Sequence, residues 1–318
     1  MMGVGRIATS YLVNQSINWL QKNQSRLNNL QETVSVGKQI IRPSDNPLGL
    51  TQLLSVTRNM NNNEQFIKNV DVAAAELTTT DSVLNEVADL INRATELTTQ
   101  GSTTTTGPLG MQSIAKEMDL MIDQLLQLSN SSLGDKFLFS GTQTDVKPYT
   151  RTGDNVTFLG TNTATNYQRQ VTLADSSDVV INWLGTRIFG DSAVTTAPGP
   201  PPVNTQTGTG LFSTLVDIKN FLNAGNVTGT RSRLDVLKQN LDSLLTVQAE
   251  VGATKNRVDL TRERTRTQQD TLTQHYAGLQ DIDLPKMLTD LNFQEQVHQA
   301  SLSVMGRVLP QTLMDFLR

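Results

Sequence analysis

Apolar residues recur at heptad spacing near both ends of the chain, a pattern typical of helices that pack along a seam. In the N-terminal part, five apolar residues fall seven apart: Val13, Leu20, Leu27, Val34 and Ile41. Near the C-terminus, a series of four- and three-residue steps runs through Leu284, Leu288, Leu291, Leu302, Met305, Leu309 and Phe316. Chain ends ordinarily fray and tolerate change. We therefore predict that both terminal segments dock, on each other or on another chain.

The second set of positions on the N-terminal seam is mostly polar, and comprises Ile17, Gln24, Gln31 and Lys38. Polar residues in a coiled-coil seam cost stability but can specify register or partner. The pattern therefore predicts docking that depends on a partner. The helix is expected to run from about residue 10 to 41 and to stop before Pro43, because the residue preceding a proline is disfavoured in the helical conformation.

Helical periodicity continues on both sides of the central segment. A second helix is predicted at about 47–99, with a proline at its first position. A third, at 111–128, follows the three-four spacing without a break and is expected to end by Gly134. After the central segment, one apolar register runs through 234–279, and residues 281–285 interrupt it and cap the last helix.

The central segment loses the helical period. Short runs rich in β-branched and aromatic residues, separated by Asp, Asn, Gly and Thr, occur at 156–159, 169–173 and 179–184. The proline-rich stretch Pro198–Pro202 indicates a linker. We predict a small β domain inserted between two helical halves, with Trp183 and Phe189 in its core.

Together these patterns predict a mainly α fold with an inserted β domain. The N- and C-terminal segments are expected to form a long antiparallel helical bundle or coiled coil, giving an elongated rod. The predicted divisions are an N-terminal core helix at 1–46, the N-terminal half of a helical stem at 47–147, a β-rich outer domain with its Pro/Gly linker at 148–210, the C-terminal half of the stem at 211–280, and a C-terminal core helix at 281–318.

Composition favours a structural role over catalysis. The hydrophobic fraction of 37% and the aromatic fraction of 5% are low for a compact enzyme. A net charge of −4 offers no basic excess to hold nucleic acid. The chain has no cysteine, so disulfides and thiolate sites are excluded. Its apolar runs are shorter than the ~18 residues that a membrane span requires, and polar residues interrupt the start of the chain, so no cleaved signal peptide is expected.

Two local patterns were weighed as chemical sites. Glu295 and His298 have the spacing of a di-iron ligand pair, but such a site needs a second copy, and the only other histidine, His275, has no such partner. The basic run 255–266 lacks the aromatic residues that interleave with charge in nucleic-acid grooves. We therefore expect no catalytic, cofactor-binding or metal-binding residues, and a structural role for both patterns.

Several stretches resemble the flagellin superfamily of bacterial flagellar proteins. They are residues 30–40, 42–49, 133–144, 281–283, 289–291 and 313–318. Flagellins have a Lys-Asp-Asp-Ala-Ala-Gly-like stretch after the first helix, where this chain has Pro43–Gly49. At this stretch and in the segment Lys136–Thr142, the chain resembles the hook–filament junction branch of the superfamily.

The resemblance implies a secreted structural subunit of the flagellum, outside the cell at the hook–filament junction and needed for motility. Such a subunit is exported by the flagellar type III apparatus without a cleaved signal. Its implied partners are like subunits in a ring, hook-associated protein 1, flagellin and a cytosolic export chaperone, with no nucleic acid and no membrane insertion. The expected assembly interface consists of Val13, Ile17, Leu20, Leu27, Val34, Ile41, Leu288, Leu291, Leu302, Met305, Leu309, Leu313 and Phe316.

Three other functions remain open from the sequence. The chain could be a flagellin, which would polymerise into long filaments when purified. It could be a helical adaptor unrelated to flagella, whose deletion would not detach filaments. It could be an enzyme, which would require a polar pocket that joins a histidine to acids from another helix.

Overall fold

The computed structural model describes residues 4–103, 106–160, 168–174, 177–190, 194–196, 204–206 and 209–316. At 4–10, 12–13, 194–196, 204–206 and 307–316 only the backbone is described. The helices are α1 Val4–Val36, α2 Pro47–Gly101, α3 Pro108–Ser129, α4 Gly185–Phe189, α5 Leu211–Asn223, α6 Val227–Ser232, α7 Leu234–Gln280 and α8 Leu284–Phe316. The strands are β1 Ser132–Leu133, β2 Lys136–Phe137, β3 Tyr149–Thr152, β4 Asn155–Phe158, β5 Gln170–Ala174, β6 Ser177–Val180, β7 Val194–Thr196 and β8 Asn204–Gln206.

The predicted fold class, mainly α with a small β region, is confirmed. Each strand pairs with its neighbour in sequence as a two-stranded antiparallel sheet: β1 with β2, β3 with β4, β5 with β6, and β7 with β8. Contacts divide the chain into two compact units, Met1–Asn62 with Gln268–Arg318, and Asn63–Thr267. In the described part of the chain, no helix combines the length and the hydropathy needed to cross a bilayer.

In the first unit, α1 and α8 pack against each other in antiparallel orientation. The Asn23 amide donates to Ser301 Oγ at 3.1 Å, and the Gln294 amide donates to the Asn23 carbonyl at 3.4 Å. At the far end of α1, Lys38 forms an antiparallel bridge with Asp281. Residues of α1 with rising numbers therefore meet residues of α8 with falling numbers, as the sequence predicts for the two terminal segments.

The helix α1 ends at Val36, so the predicted end at Ile41 before Pro43 is wrong. Gly37 adopts φ +71°, in the left-handed region, and its N–H donates to the Thr33 carbonyl at 2.9 Å. A glycine in this conformation is a common helix terminator because it has no Cβ. Pro47 does open α2, and the Asn46 side chain accepts from the Gly49 N–H at 2.8 Å, which is an N-cap contact.

The helix α3 ends at Ser129, before the predicted stop at Gly134. The Asn130 side chain accepts from the Tyr149 N–H at 2.8 Å and donates to the Tyr149 carbonyl at 3.0 Å. It also donates to the Leu126 carbonyl at 2.8 Å. Asn130 therefore terminates the helix and docks strand β3 in the same place.

In the second unit, one apolar core includes residues of the long helices and of the β hairpins. Fully buried members include Leu84, Met118 and Leu244 from the helices, and Tyr149 and Leu173 from the strands. Trp183 and Phe189 are buried, 8% and 1% exposed, but the core that they join is shared with the long helices and is not that of a separate β domain. Aromatic rings pack edge to face at its centre, with 5.3 Å between the centroids of Phe139 and Phe189.

The predicted strands are only partly correct. The run at 179–184 forms a strand only as far as Val180, after which residues 181–184 lead into α4. Strand β3 and the short helix α6 have no counterpart in the sequence prediction. The predicted linker at Pro198–Pro202 lies outside the described residues.

Candidate assembly surface

The contact between α1 and α8 follows one face of α1. Along this face, Leu27 is buried, while Leu20, Leu30 and Val34 are half-buried. Asn23 lies among them and makes the polar contact with Ser301. Four- and three-residue steps connect these positions, which is the spacing of a coiled-coil seam.

On α1, each half-buried position of the second seam set lies one residue before the predicted position. Gln24, Gln31 and Lys38 are exposed, and Ile17 is 38% exposed. The half-buried positions are instead Ser16, Asn23 and Leu30. The half-buried set still holds two polar residues, Ser16 and Asn23, and Ile17 lies on an outer face.

The structure places the thirteen predicted interface residues in three groups. Leu27 is buried, and Leu20, Val34, Ile41, Leu291 and Met305 are half-buried. Ile17, Leu288 and Leu302 are exposed. Val13, Leu309, Leu313 and Phe316 lie on α1 or α8, but their side chains are outside the described set.

Further large apolar side chains are exposed on the same two helices and were not in the predicted set. On α1, Tyr11 is 67% and Trp19 is 61% exposed, and the Lys22 ammonium lies 5.9 Å from the Trp19 ring centroid. On α8, Phe293 is 65% and Val304 is 60% exposed. Phe293, Val297, Ala300 and Val304 follow four-three-four steps, a signal that the sequence does carry beside the stronger leucine series.

Glu295 and His298, the two residues with the spacing of a di-iron ligand pair, lie on α8. Glu295 and His298 are both half-buried, and the His298 Nδ1 atom is buried without a hydrogen-bond partner. His275 is exposed on α7. Among the residues that the structure describes, no group of three or more His, Cys, Asp or Glu side chains could hold a metal ion.

Two clefts are lined by charged side chains, and within each cleft an arginine pairs with a glutamate. In the first unit, a cleft of about 360 Å³ beside the end of α1 contains Arg42, which donates to both Glu32 carboxylate oxygens at 2.8 and 3.0 Å. In the second, a cleft of about 380 Å³ contains Glu250, which accepts from Arg187 at 2.6 and 2.8 Å and from Trp183 Nε1 at 3.2 Å. The Arg187 hydrogen bonds lower the pKa of Glu250. Both arrangements join elements of one unit to each other.

Ion pairs fix the hairpins to the helices of the second unit. Arg151 on β3 donates to Asp119 and Asp123 of α3, both at 2.5 Å. Lys219 on α5 is only 8% exposed and contacts Asp119 at 3.2 Å as well as Asp154. The hydrogen bond from Arg151 is the main reason that the pKa of Asp119 is lowered.

A second, largely buried ion pair joins the residue before β5 to α2. Arg169 contacts Glu76, whose side chain is 9% exposed. Burial raises the pKa of Glu76, although the Arg169 charge opposes the shift. The Asn69 amide adds a hydrogen bond to the Thr172 carbonyl at 2.9 Å.

Comparison with known proteins identifies the family. Residues 7–144 match the N-terminal helical region of bacterial flagellin, and residues 234–317 match its C-terminal helical region. Flagellar hook-associated protein 3 of Escherichia coli is 26% identical over 311 residues, which cover 93% of this chain and 94% of that protein. Flagellin of Bacillus subtilis is 23% identical over 313 residues, covering 95% and 96%.

A solved structure shows the same fold. The flagellar junction protein FlgL from Legionella pneumophila superposes with a TM-score of 0.56 at 16% identity, covering 72% of this chain and 99% of that one. The two flagellin regions together cover well over half of the sequence. The chain therefore belongs to the bacterial flagellin family.

Proposed function

We propose that this protein is the structural subunit that joins the flagellar hook to the filament. The observation that carries the proposal is the near full-length similarity to hook-associated protein 3 of Escherichia coli. The exposed apolar residues of the α1–α8 pair support it, because such surfaces mark sites of assembly.

The proposed interface is the set of thirteen residues predicted from the terminal seams. In the isolated chain, Leu288 and Leu302 remain 46% and 47% exposed. Burying apolar surface contributes roughly 25 cal/mol per Å², so neighbouring subunits would gain free energy by covering these side chains. Half-buried members such as Leu291 and Met305 would become fully buried in the same step.

The proposed arrangement is a ring of like subunits between hook-associated protein 1 and the first layer of flagellin. A ring is built from head-to-tail contacts, in which two different surfaces of one subunit meet two neighbours. Two further surfaces would face the two different partners along the axis. The role is therefore one of specific fit, and we propose no catalytic step.

Export fits the same role. We propose that the chain leaves the cell unfolded through the flagellar type III apparatus, with the help of a cytosolic chaperone, and that it acts outside the cell at the hook–filament junction. Few of the α1 and α8 side chains that the structure describes are fully buried, which is compatible with passage in an unfolded state, because unfolding loses few of their buried contacts.

A filament subunit is the second candidate, because flagellin of Bacillus subtilis is similar over 95% of the chain. Family membership sets aside the adaptor unrelated to flagella. Purified flagellin would form long filaments, whereas a junction subunit would remain small under the same conditions. Sedimentation of the purified protein distinguishes the two candidates.

Deletion of the gene in its host tests the proposal. Electron microscopy should show hooks without filaments, and flagellin monomer should accumulate in the medium. Re-expression of the chain should restore filaments. Filaments that stay attached to hooks in the deletion strain would overturn the junction role.

A further inference from the structure

Polar residues meet in the middle of the described part of the α1–α8 seam. The Asn23 amide donates to Ser301 Oγ, and the Gln294 amide donates to the Asn23 carbonyl. Gln294 and Ser301 are about two helical turns apart. Asn23 therefore lies opposite the stretch between them, in which His298 occupies the same face of α8. These four half-buried residues are called the polar layer below.

The polar layer divides the apolar seam into two blocks. The base block, on the side of the Lys38–Asp281 bridge, comprises Leu27, Leu30, Val34, Met287 and Leu291. On the other side lies the tip block, whose described apolar members are Leu20 and Met305. Among the side chains described on α1 and α8, Leu27 alone is buried, and it belongs to the base block. The base block is therefore the better packed of the two.

The polar layer contributes little to holding the two helices together. Asn23 can exchange its hydrogen bonds for bonds to water, so they add little net stability. The His298 Nδ1 atom is buried and has no hydrogen-bond partner among the described residues, so separation of the helices allows water to solvate it. Covering the apolar blocks, by contrast, stabilises docking in proportion to their area. An opening that stops at the polar layer thus gives up only the tip block.

We propose that the polar layer is a break point, at which the tip of the α1–α8 pair opens and closes while the base stays docked. The Lys38–Asp281 bridge links the segments that flank the two helices at the base end. Proteins commonly open in contiguous cooperative segments of this kind. The inference concerns the chain's own helix pair, goes beyond the proposed function and holds whether or not the protein is the junction subunit.

A break point and ordinary fraying predict different patterns of amide exchange. In a uniform seam, protection declines gradually with distance from the base, because the entropy of closure rises gradually. A break point gives a step at the polar layer instead. Amides at 14–22 and 302–306 should then share one low protection, and amides at 27–36 and 288–293 should share a higher one.

Hydrogen exchange of the purified monomeric chain, read segment by segment, tests the inference. Amides at 14–22 should exchange about tenfold faster than those at 27–36, or more. The double variant Asn23→Leu with His298→Leu should remove the step and slow the tip by about the same factor. This variant leaves no new buried group unpaired. The Ser301 hydroxyl still donates to the Val297 carbonyl at 2.8 Å, and Gln294 bonds to the backbone of residue 23.

Gln24→Leu with Gln299→Leu is the matched control. Both glutamines are exposed, and each lies one residue from a member of the polar layer. The control therefore adds the same two leucines to the same helices, but outside the seam. It should keep the step, with tip exchange close to that of the native chain.

Three results would overturn the inference. The first is a gradual decline, or equal protection of tip and base, in the native chain. The second is a tip whose exchange the double variant leaves unchanged, and the third is a control that slows the tip as much. If the double variant self-associates, His298→Leu alone decides: the tip should exchange more slowly, and an unchanged tip refutes the break point. The gene deletion tests the junction role independently.

Discussion

Gly190 and Gly210 touch backbone to backbone. A Cβ atom on Gly190 would lie 2.2 Å from the Gly210 Cα, and one on Gly210 would lie 2.8 Å from the Gly190 Cα. Gly190 follows the end of α4, and Gly210 precedes the start of α5. The residue after α4 and the residue before α5 therefore meet in direct backbone contact.

Replacing Gly190 with alanine should destabilise the second unit by about 2–4 kcal/mol. Gly190 has φ +88° and ψ 161°, a region essentially restricted to glycine, and its Cβ would meet backbone that cannot move aside. Denaturant unfolding measures the change. Gly252→Ala is the control, because nothing lies within 4 Å of its Cβ position in α7, and it should stabilise by about 0.5–1 kcal/mol. Equal stability of the two variants would contradict the packing argument.

Substituting Asp119 should lower the stability of the protein more than substituting its partner Lys219. Asp119→Asn leaves Arg151 and Lys219, which are largely buried, without a charged partner at this position, and should cost about 2 kcal/mol. Lys219→Met replaces a buried ammonium by an apolar chain of similar shape, while its carboxylate partners remain partly solvated. We expect the smaller loss for Lys219→Met, measured by the same unfolding assay.

The same carboxylate should contribute to acid sensitivity. The pKa of Asp119 is lowered in the folded state, so the unfolded state binds the proton first as the pH falls. Stability from this group is present above an unfolded pKa of about 3.9 and is lost as the pH drops through the lower folded value. Between pH 5 and 2, the Asp119→Asn variant should therefore lose stability less steeply than the native chain.

Leu302→Asp should block filament attachment without unfolding the protein. Leu302 is 47% exposed, so the carboxylate can remain solvated in the free chain, but it would be buried in an assembled interface. Motility and electron microscopy report attachment, and circular dichroism reports the fold. Ser303→Asp, one residue along and also exposed, should retain filaments. Normal attachment with Leu302→Asp would contradict a role for this face.

Hydrogen exchange should distinguish the terminal helices from the second unit. In the free protein, amides at 10–41 and 284–317 should exchange much faster than those of the buried helix α3, because few of the side chains described on α1 and α8 are fully buried. In isolated flagella the same amides should become protected. Strong protection of both terminal segments in the free chain would show that assembly is not needed to stabilise them.

Heptad spacing was sufficient to predict the two terminal helices, yet it could not say which residues face each other. Asn23 and Gln24 differ by about 100° around α1, and both are polar, so only the position of α8 decides which one is covered. Likewise, Gly37 and Pro43 are both helix-terminating signals, and α1 ends immediately before the first of them, Gly37. The partners of Asn130 and Arg169 lie 19 and 93 residues away, and no local pattern identifies contacts at such separations.

The connections at the base of the α1–α8 pair are bonded to each other. The Gln39 N–H donates to the Gln280 carbonyl at 2.7 Å, and the Gln280 side chain donates to the Ile40 carbonyl at 3.1 Å. The two helices thus leave a common anchor, and residues near it are held at high local concentration. The entropy of closure grows with distance from the anchor, so pairing should zip outwards towards the tips and melt inwards from them.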